Sequence, residues 1–225
     1  MAIERASSVG TPQTGSRALA TNKVIRNTYL LLSMTLAFSA AMAFVALAVG
    51  AQPVHWLVML AVFIGMPFGI QALRNSVWAL PLTFAFTGIM GYILGPIVGL
   101  YLALPNGPAI VGGALASTAV VFVGLSGYAL VTRKDFSFLG GFVFVGLLVA
   151  LAAIIANIFL ALPALSLAIS SAVVLLISAA ILWDTSRMVH DGEANYVMMT
   201  VSLFANIYVL FMHLMNLFAL LSGDN

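Results

Sequence analysis

The sequence predicts an all-α membrane protein, a bundle of seven transmembrane helices with a cytosolic N-terminus and an outside C-terminus. Three observations carry this expectation. Only 6% of the residues are charged while 63% are hydrophobic, with a mean hydropathy of +1.17; a soluble domain carries about 25% charged residues. Seven apolar runs approach the length of a spanning helix, about 20 residues. All eight Lys and Arg residues fall on one side of the membrane that these runs define, as the inward bias of basic residues requires.

In chain order, residues 1–22 (MAIERASSVGTPQTGSRALATN) are rich in Gly, Ser, Thr, Pro and Ala and lack an amphipathic period. They read as a disordered cytosolic tail, and residues 23–225 as one transmembrane domain. The runs follow as Thr28–Gly50, Val54–Leu73, Val77–Leu104, Pro108–Thr132, Phe136–Leu162, Ala164–Val189 and Val197–Leu221. The first is already long enough to span and lacks a small-x-small exit, so no cleavable signal peptide is expected. Arg5, Arg17, Lys23 and Arg26 precede it; Arg74 follows the second run, Arg133 and Lys134 the fourth, and Arg187 closes the sixth. The opposite connections, near 51–53, 105–107 and 163, carry no Lys or Arg and are short and marked by Pro53, Pro105 and Pro163. Merging or splitting one run would destroy this partition.

Small residues describe packing. Gly88, Gly91, Gly95 and Gly99 recur along the third run, and Gly112, Gly113, Gly124 and Gly127 along the fourth. Such stripes let helices approach closely in lipid. Pro67, Pro81 and Pro96 are expected to kink their helices by removing backbone donors.

Asp184 is the only acid inside an apolar run; Glu4, Asp135, Asp191, Glu193 and Asp224 lie in tails or connections. A carboxylate in mid-membrane costs about 2.5–3.5 kcal/mol and less towards the edge. Asp184 lies near the inner end of its run, so the cost requires a partner, with Arg74 the first candidate and Arg187 the second. On the seventh run, Ser202, Asn206, His213 and Asn216 fall within about 80° of one another at 100° per residue, a stripe that should face the bundle interior and that Asn157 of the fifth run could join. Inter-helix hydrogen bonds are the plain reading of that stripe; a solute or proton path is the other. One buried histidine without further ligands at ligand spacing implies no metal site. Zero cysteines excludes disulfides and thiolate metal sites. With no nucleotide, zincin or nucleophile-elbow motif, nothing points to an enzyme or a cofactor. A charge of +2 is too small to suggest nucleic acid.

Several stretches resemble a known family. TRKDFSFLGGF (Thr132–Phe142), DTSRMVHDGEANY (Asp184–Tyr196), SLFANIYVLF (Ser202–Phe211), GYILGPI (Gly91–Ile97) and STAVVF (Ser117–Phe122) are similar to motifs of the Bax inhibitor (TMBIM) family, over about Asn22 to Leu221. NKVIRNTYLLLS, FTGIMGYILGPI and ANIFLALPALSLAIS point to its bacterial branch, which modulates the membrane-anchored AAA+ protease FtsH. The resemblance implies an inner-membrane bundle with a central last helix. In calcium-leak members, two aspartates on the sixth and seventh helices form a pH-sensitive pair at the cytosolic end. Asp184 matches the first, and the second falls on Asn206. An Asp–Asn pair cannot share a proton as two carboxylates do, so a latch of Asp184, Asn206, Arg74 and Arg187 is expected to be structural. Two functions stay open: a regulator that FtsH engages as a slowly processed competing client, its tail the handle, or a pH-sensitive calcium or cation leak.

Overall fold

The computed structural model describes residues 13–191 and 194–223, with side chains from residue 21 onward. Seven helices form it: α1 (Gln13–Ala48), α2 (Trp56–Ala72), α3 (Ala79–Leu102), α4 (Gly107–Thr132), α5 (Leu139–Leu160), α6 (Pro163–His190) and α7 (Tyr196–Ser222). The described residues contain no strand. Six helices are long and apolar enough to cross a membrane; α2, with 17 residues, is the short one. At about 1.5 Å per residue it reaches about 25 Å, near the lower limit for a span.

Two boundaries differ from expectation. Helix α1 begins at Gln13, so residues 13–22, expected in the tail, are helical; their Gln, Arg, Ala and Leu are good helix formers. Residues 1–12 lie outside the described residues, as do Glu193 and Asp224. Pro81 falls in the first turn of α3, where its missing N–H has no intrahelical partner to lose, so no kink is needed there. Pro67 and Pro96 do lie inside their helices.

The last helix is the central one. Helix α7 packs against α1, α2, α3, α4 and α6, whereas α5 touches α6 alone. Buried residues therefore surround α7, as expected for a helix enclosed by others. Towards its start, Leu203, Phe204 and Tyr208 pack with Phe86 and Met90 of α3 and Leu32 of α1. The Phe86 and Phe204 rings meet edge to face at 5.7 Å and 70°. Towards its end, Leu210, Phe211 and Met215 join Ile177 and Ile181 of α6 and Ala114 of α4.

The most extensive helix pair is α1 with α3, and the glycine stripe of α3 makes it possible. A Cβ on Gly91 would collide with the backbone oxygen of Ser39. One on Gly95 would stand 2.5 Å from the Ala43 oxygen and 2.7 Å from the Ala46 Cβ. Backbone thus lies on backbone, the close approach by which lipid-embedded helices gain van der Waals contact. The α4 stripe behaves differently. Gly112, Gly124 and Gly127 have nothing within 4 Å of such an atom, and only Gly113 meets a side chain, that of Phe218. Glycine content alone does not separate a helix that packs closely on a neighbour from one that does not. Gly91→Ala is therefore expected to lower thermal stability by about 1–3 kcal/mol through overpacking, and Gly124→Ala to leave it unchanged. Equal melting temperatures for the two variants in detergent would remove the glycine contact from the α1–α3 interface.

Candidate functional site

Asp184 sits on the buried face of α6, where Ile177, Ala180, Ile181, Asp184 and Met188 recur at helical spacing. Its side chain is 2% exposed. Opposite it, Ser202 and Asn206 lie four residues apart on α7 and so project from one face. Both donate to one carboxylate oxygen: Ser202 Oγ to Oδ2 at 2.5 Å and Asn206 Nδ2 to the same atom at 2.8 Å. Asp184 Oδ1 has no hydrogen-bond partner. The nearest cation is Arg187, whose Nη1 stands 4.0 Å from Oδ1. Arg187 is 38% exposed, lies over the Trp183 ring at 5.0 Å, and places Nε 3.5 Å from Asp191 Oδ2. Its charge is thus divided between two acids and an aromatic face.

Of the two candidate basic partners, the ion pair is with Arg187 and not with Arg74. Helix α2 packs on α3 and α7 but not on α6, which keeps Arg74 at its end away from Asp184. The Arg74 carbonyl instead accepts Asn195 Nδ2 at 3.2 Å. Asn195 also caps α7, its Oδ1 accepting from Val197 and Met198 N–H groups at 3.0 and 3.3 Å.

The expected polar stripe of α7 divides in two. Ser202 and Asn206 serve Asp184. His213 and Asn216, about two turns further along, converge on buried Ser170 of α6: Asn216 Nδ2 donates to its Oγ at 2.7 Å, and His213 Nδ1 lies 3.2 Å away. Asn157 bonds outside the stripe, donating to Ser166 Oγ at 2.6 Å and accepting from Leu162 N–H at 3.1 Å. It nevertheless lines one cavity with His213 and Asn216.

Residues adjoining Asp184 extend the cluster in ways that periodicity does not reveal. Thr185 Oγ1 pairs with Ser126 Oγ of α4 at 3.1 Å. Ser186 Oγ donates to the Lys134 carbonyl at 3.1 Å and accepts from Phe136 N–H at 3.0 Å, clamping the α4–α5 turn onto α6. Asp135 in that turn accepts the hydroxyl and N–H of Ser137. Those two bonds, with nearby His190 adding less, hold its carboxyl below the usual range. The stretches Thr132–Phe142 and Asp184–Tyr196 thus meet in space. Their co-occurrence as motifs was the available signal for Ser186. Among the described residues, no three His, Cys, Asp or Glu side chains gather as metal ligands.

Six spanning-length apolar helices, the last of them central to the bundle, with one buried acid hydrogen-bonded by that last helix, define a multi-pass membrane protein with a polar contact between α6 and α7. Residues 21–223 match the family described as Inhibitor of apoptosis-promoting Bax1, and the chain belongs to that family. A protein of Escherichia coli K12 named modulator of FtsH protease YccA is 45% identical over 206 residues, covering 92% of this chain and 94% of that one. An uncharacterised protein of Pseudomonas aeruginosa is 48% identical over 202 residues, with 90% and 91% covered. A protein of Escherichia coli O6:H1 is named inner membrane protein YccA and is 45% identical over 206 residues, with 92% and 94% covered. This chain is a multi-pass protein of the inner membrane.

Proposed function

We propose that the protein is a non-catalytic regulator of the membrane-anchored protease FtsH, which engages it as a slowly processed competing client. The carrying observation is the near full-length similarity to a protein named modulator of that protease. The fold supplies a reason for slow processing. Extracting α7 would break its packing with five helices together with the bonds of Ser202 and Asn206 to Asp184. It would also bring a long apolar surface into water, at about 25 cal/mol per Å². The handle would be the N-terminal segment, on the side where the protease domains act. This reading has α2 as a seventh, short span, which puts the N-terminus and the Asp184 cluster at the cytosolic face and the C-terminus outside. Its support is the position of Lys23, Arg26, Arg74, Arg133, Lys134 and Arg187 at alternate helix ends.

The alternative, a pH-sensitive cation leak, is less well supported because the group opposite Asp184 is an amide that donates a hydrogen bond and cannot share a proton as a second carboxylate would.

Affinity purification from membranes tests the regulatory reading. FtsH is expected to co-purify, and raised levels of the protein should slow degradation of another membrane substrate of the protease. Absence of both effects, with calcium flux in liposomes that Asp184→Ala abolishes, would replace this reading by the leak. For the orientation, Ser8→Cys and Ser222→Cys should label from opposite sides of sealed vesicles; labelling from one side overturns the seven-span arrangement.

A further inference from the structure

Helices α2 and α5 are neighbours that do not touch, and a crevice of about 300 Å³ lies between them. Trp56 and Met59 of α2 form one wall, Leu151 and Ile155 of α5 the other, and Tyr208 and Met212 of α7 the floor. Trp56, Leu151, Ile155 and Ile158 are themselves partly exposed on the outside of the bundle. The opening therefore faces whatever surrounds the protein, which for a multi-pass protein is bilayer hydrocarbon. Its size falls at the lower end of ligand pockets, about 300–1,000 Å³.

A second cavity of about 580 Å³ adjoins this crevice, the two sharing Ile154, Ile158 and His213 in their linings. The second cavity is of different character. It reaches the α5–α6 turn at Ala161–Pro163 and is lined by Asn157, Ser166, Ser170, His213 and Asn216. Ser166 Oγ accepts from Asn157, which leaves the serine proton able to donate outward. Asn216 gives one amide hydrogen to Ser170 and keeps a second. Ser170 is only seven residues into α6, which begins at Pro163, so the polar end lies in the last 10 Å or so of the bundle at about 1.5 Å per residue. That is the level of the headgroup boundary. Trp56, at the start of α2, marks the same level, where tryptophan is enriched. Neither cavity is lined by Lys or Arg.

We propose that the two adjoining cavities together form a site for one ester-linked phospholipid of the bilayer. An acyl chain enters between α2 and α5, and the glycerol ester carbonyls accept from the Asn157, Ser166 and Asn216 donors. The donors are neutral, which suits carbonyl oxygens and not a phosphate, so the phosphate and head group remain in the interface. Access is lateral, because an acyl chain slides in from hydrocarbon without crossing water. Bound in this way, the lipid fills the gap that leaves α5 attached through α6 alone.

Native mass spectrometry of the full chain, released from a mild detergent after a delipidating wash, tests this directly. One phospholipid is expected to remain per chain. Ile158→Trp adds bulk at a residue shared by both cavities and half exposed, so it need not overpack the core; it should cut the retained fraction about tenfold. Val131→Trp, on the exposed face of α4, should leave that fraction unchanged. Leu151→Trp replaces Ile158→Trp if melting shows that the latter does not fold, and Ser166→Ala should weaken retention severalfold without adding bulk. No adduct in the unaltered protein, or equal adducts in the crevice and α4 variants, overturns the proposal by leaving only the surrounding lipid belt. A retained molecule without ester-linked acyl chains, such as an isoprenoid quinone, also overturns it.

Discussion

Removing both α7 donors, as Ser202→Ala with Asn206→Leu, is expected to lower the stability of the bundle by about 3–6 kcal/mol, since a hydrogen bond to a charged group contributes about 1.5–3 kcal/mol. The Asp184 carboxylate would then remain 2% exposed with only Arg187 at 4.0 Å. Arg187→Ala should do less. Breaking a fully buried pair costs about 3–5 kcal/mol, but an Arg that is 38% exposed and shared with Asp191 and Trp183 is screened, which reduces the loss to about 1 kcal/mol. Arg74→Ala should have little effect, because Arg74 lies in the turn after α2, a helix that does not meet α6. Adding Asp184→Leu to the donor variant should restore most of the stability, because no charge then needs solvation. Melting curves in one detergent decide the order. If Arg74→Ala or Arg187→Ala matches the donor variant, or if Asp184→Leu fails to rescue, the neutral donors do not compensate the charge.

The second large effect concerns the N-terminal segment. Deleting residues 2–12 is expected to prolong the protein's lifetime severalfold in cells that contain FtsH and to leave it unchanged in cells that lack it. The effect rests on the number of residues that precede α1 at Gln13. Among the described side chains, Ile25 is the first of α1 to pack against the core. Pulling must therefore unwind the turns of α1 that precede Ile25 before it meets that packing. Scrambling residues 2–12 should change little, because engagement depends on length. A pulse-chase of the full-length, shortened and scrambled chains decides it. Equal lifetimes in protease-containing cells would remove the segment from the mechanism.

The parts of the fold set by local chemistry were legible in the sequence. Apolar length marks the helices, and the cost of a buried carboxylate singles out Asp184 before any contact is known. The stripe on α7 was legible as a direction, because 100° per residue places Ser202 and Asn206 together. Which neighbour each residue meets was not. Arg187 stands three residues from Asp184 on one helix, a spacing that already favours the pair, whereas the exclusion of Arg74 rests on the absence of an α2–α6 contact. Both α3 and α4 are rich in glycine, yet Gly91 lies against the Ser39 backbone and Gly124 has nothing within 4 Å of an added Cβ. Ser186 carries no periodic signal, since its partners are carbonyl and amide groups of a turn. Such pairings belong to tertiary geometry, which a single chain's pattern does not encode.

The centre of this bundle is also the segment made last. Synthesis in chain order delivers α1 to α6 before α7, so the place that α7 fills is vacant until it follows. During that interval Asp184 waits for donors that lie 18 and 22 residues downstream. A chain that reaches only α6 has Asp184 without its two α7 donors. Addition of α7 brings the packing with five neighbours and the two bonds to the carboxylate. A chain that stalls before α7 would carry its own mark of incompleteness, an unsatisfied carboxylate inside the bilayer, visible to any quality-control machinery that reads polarity in lipid.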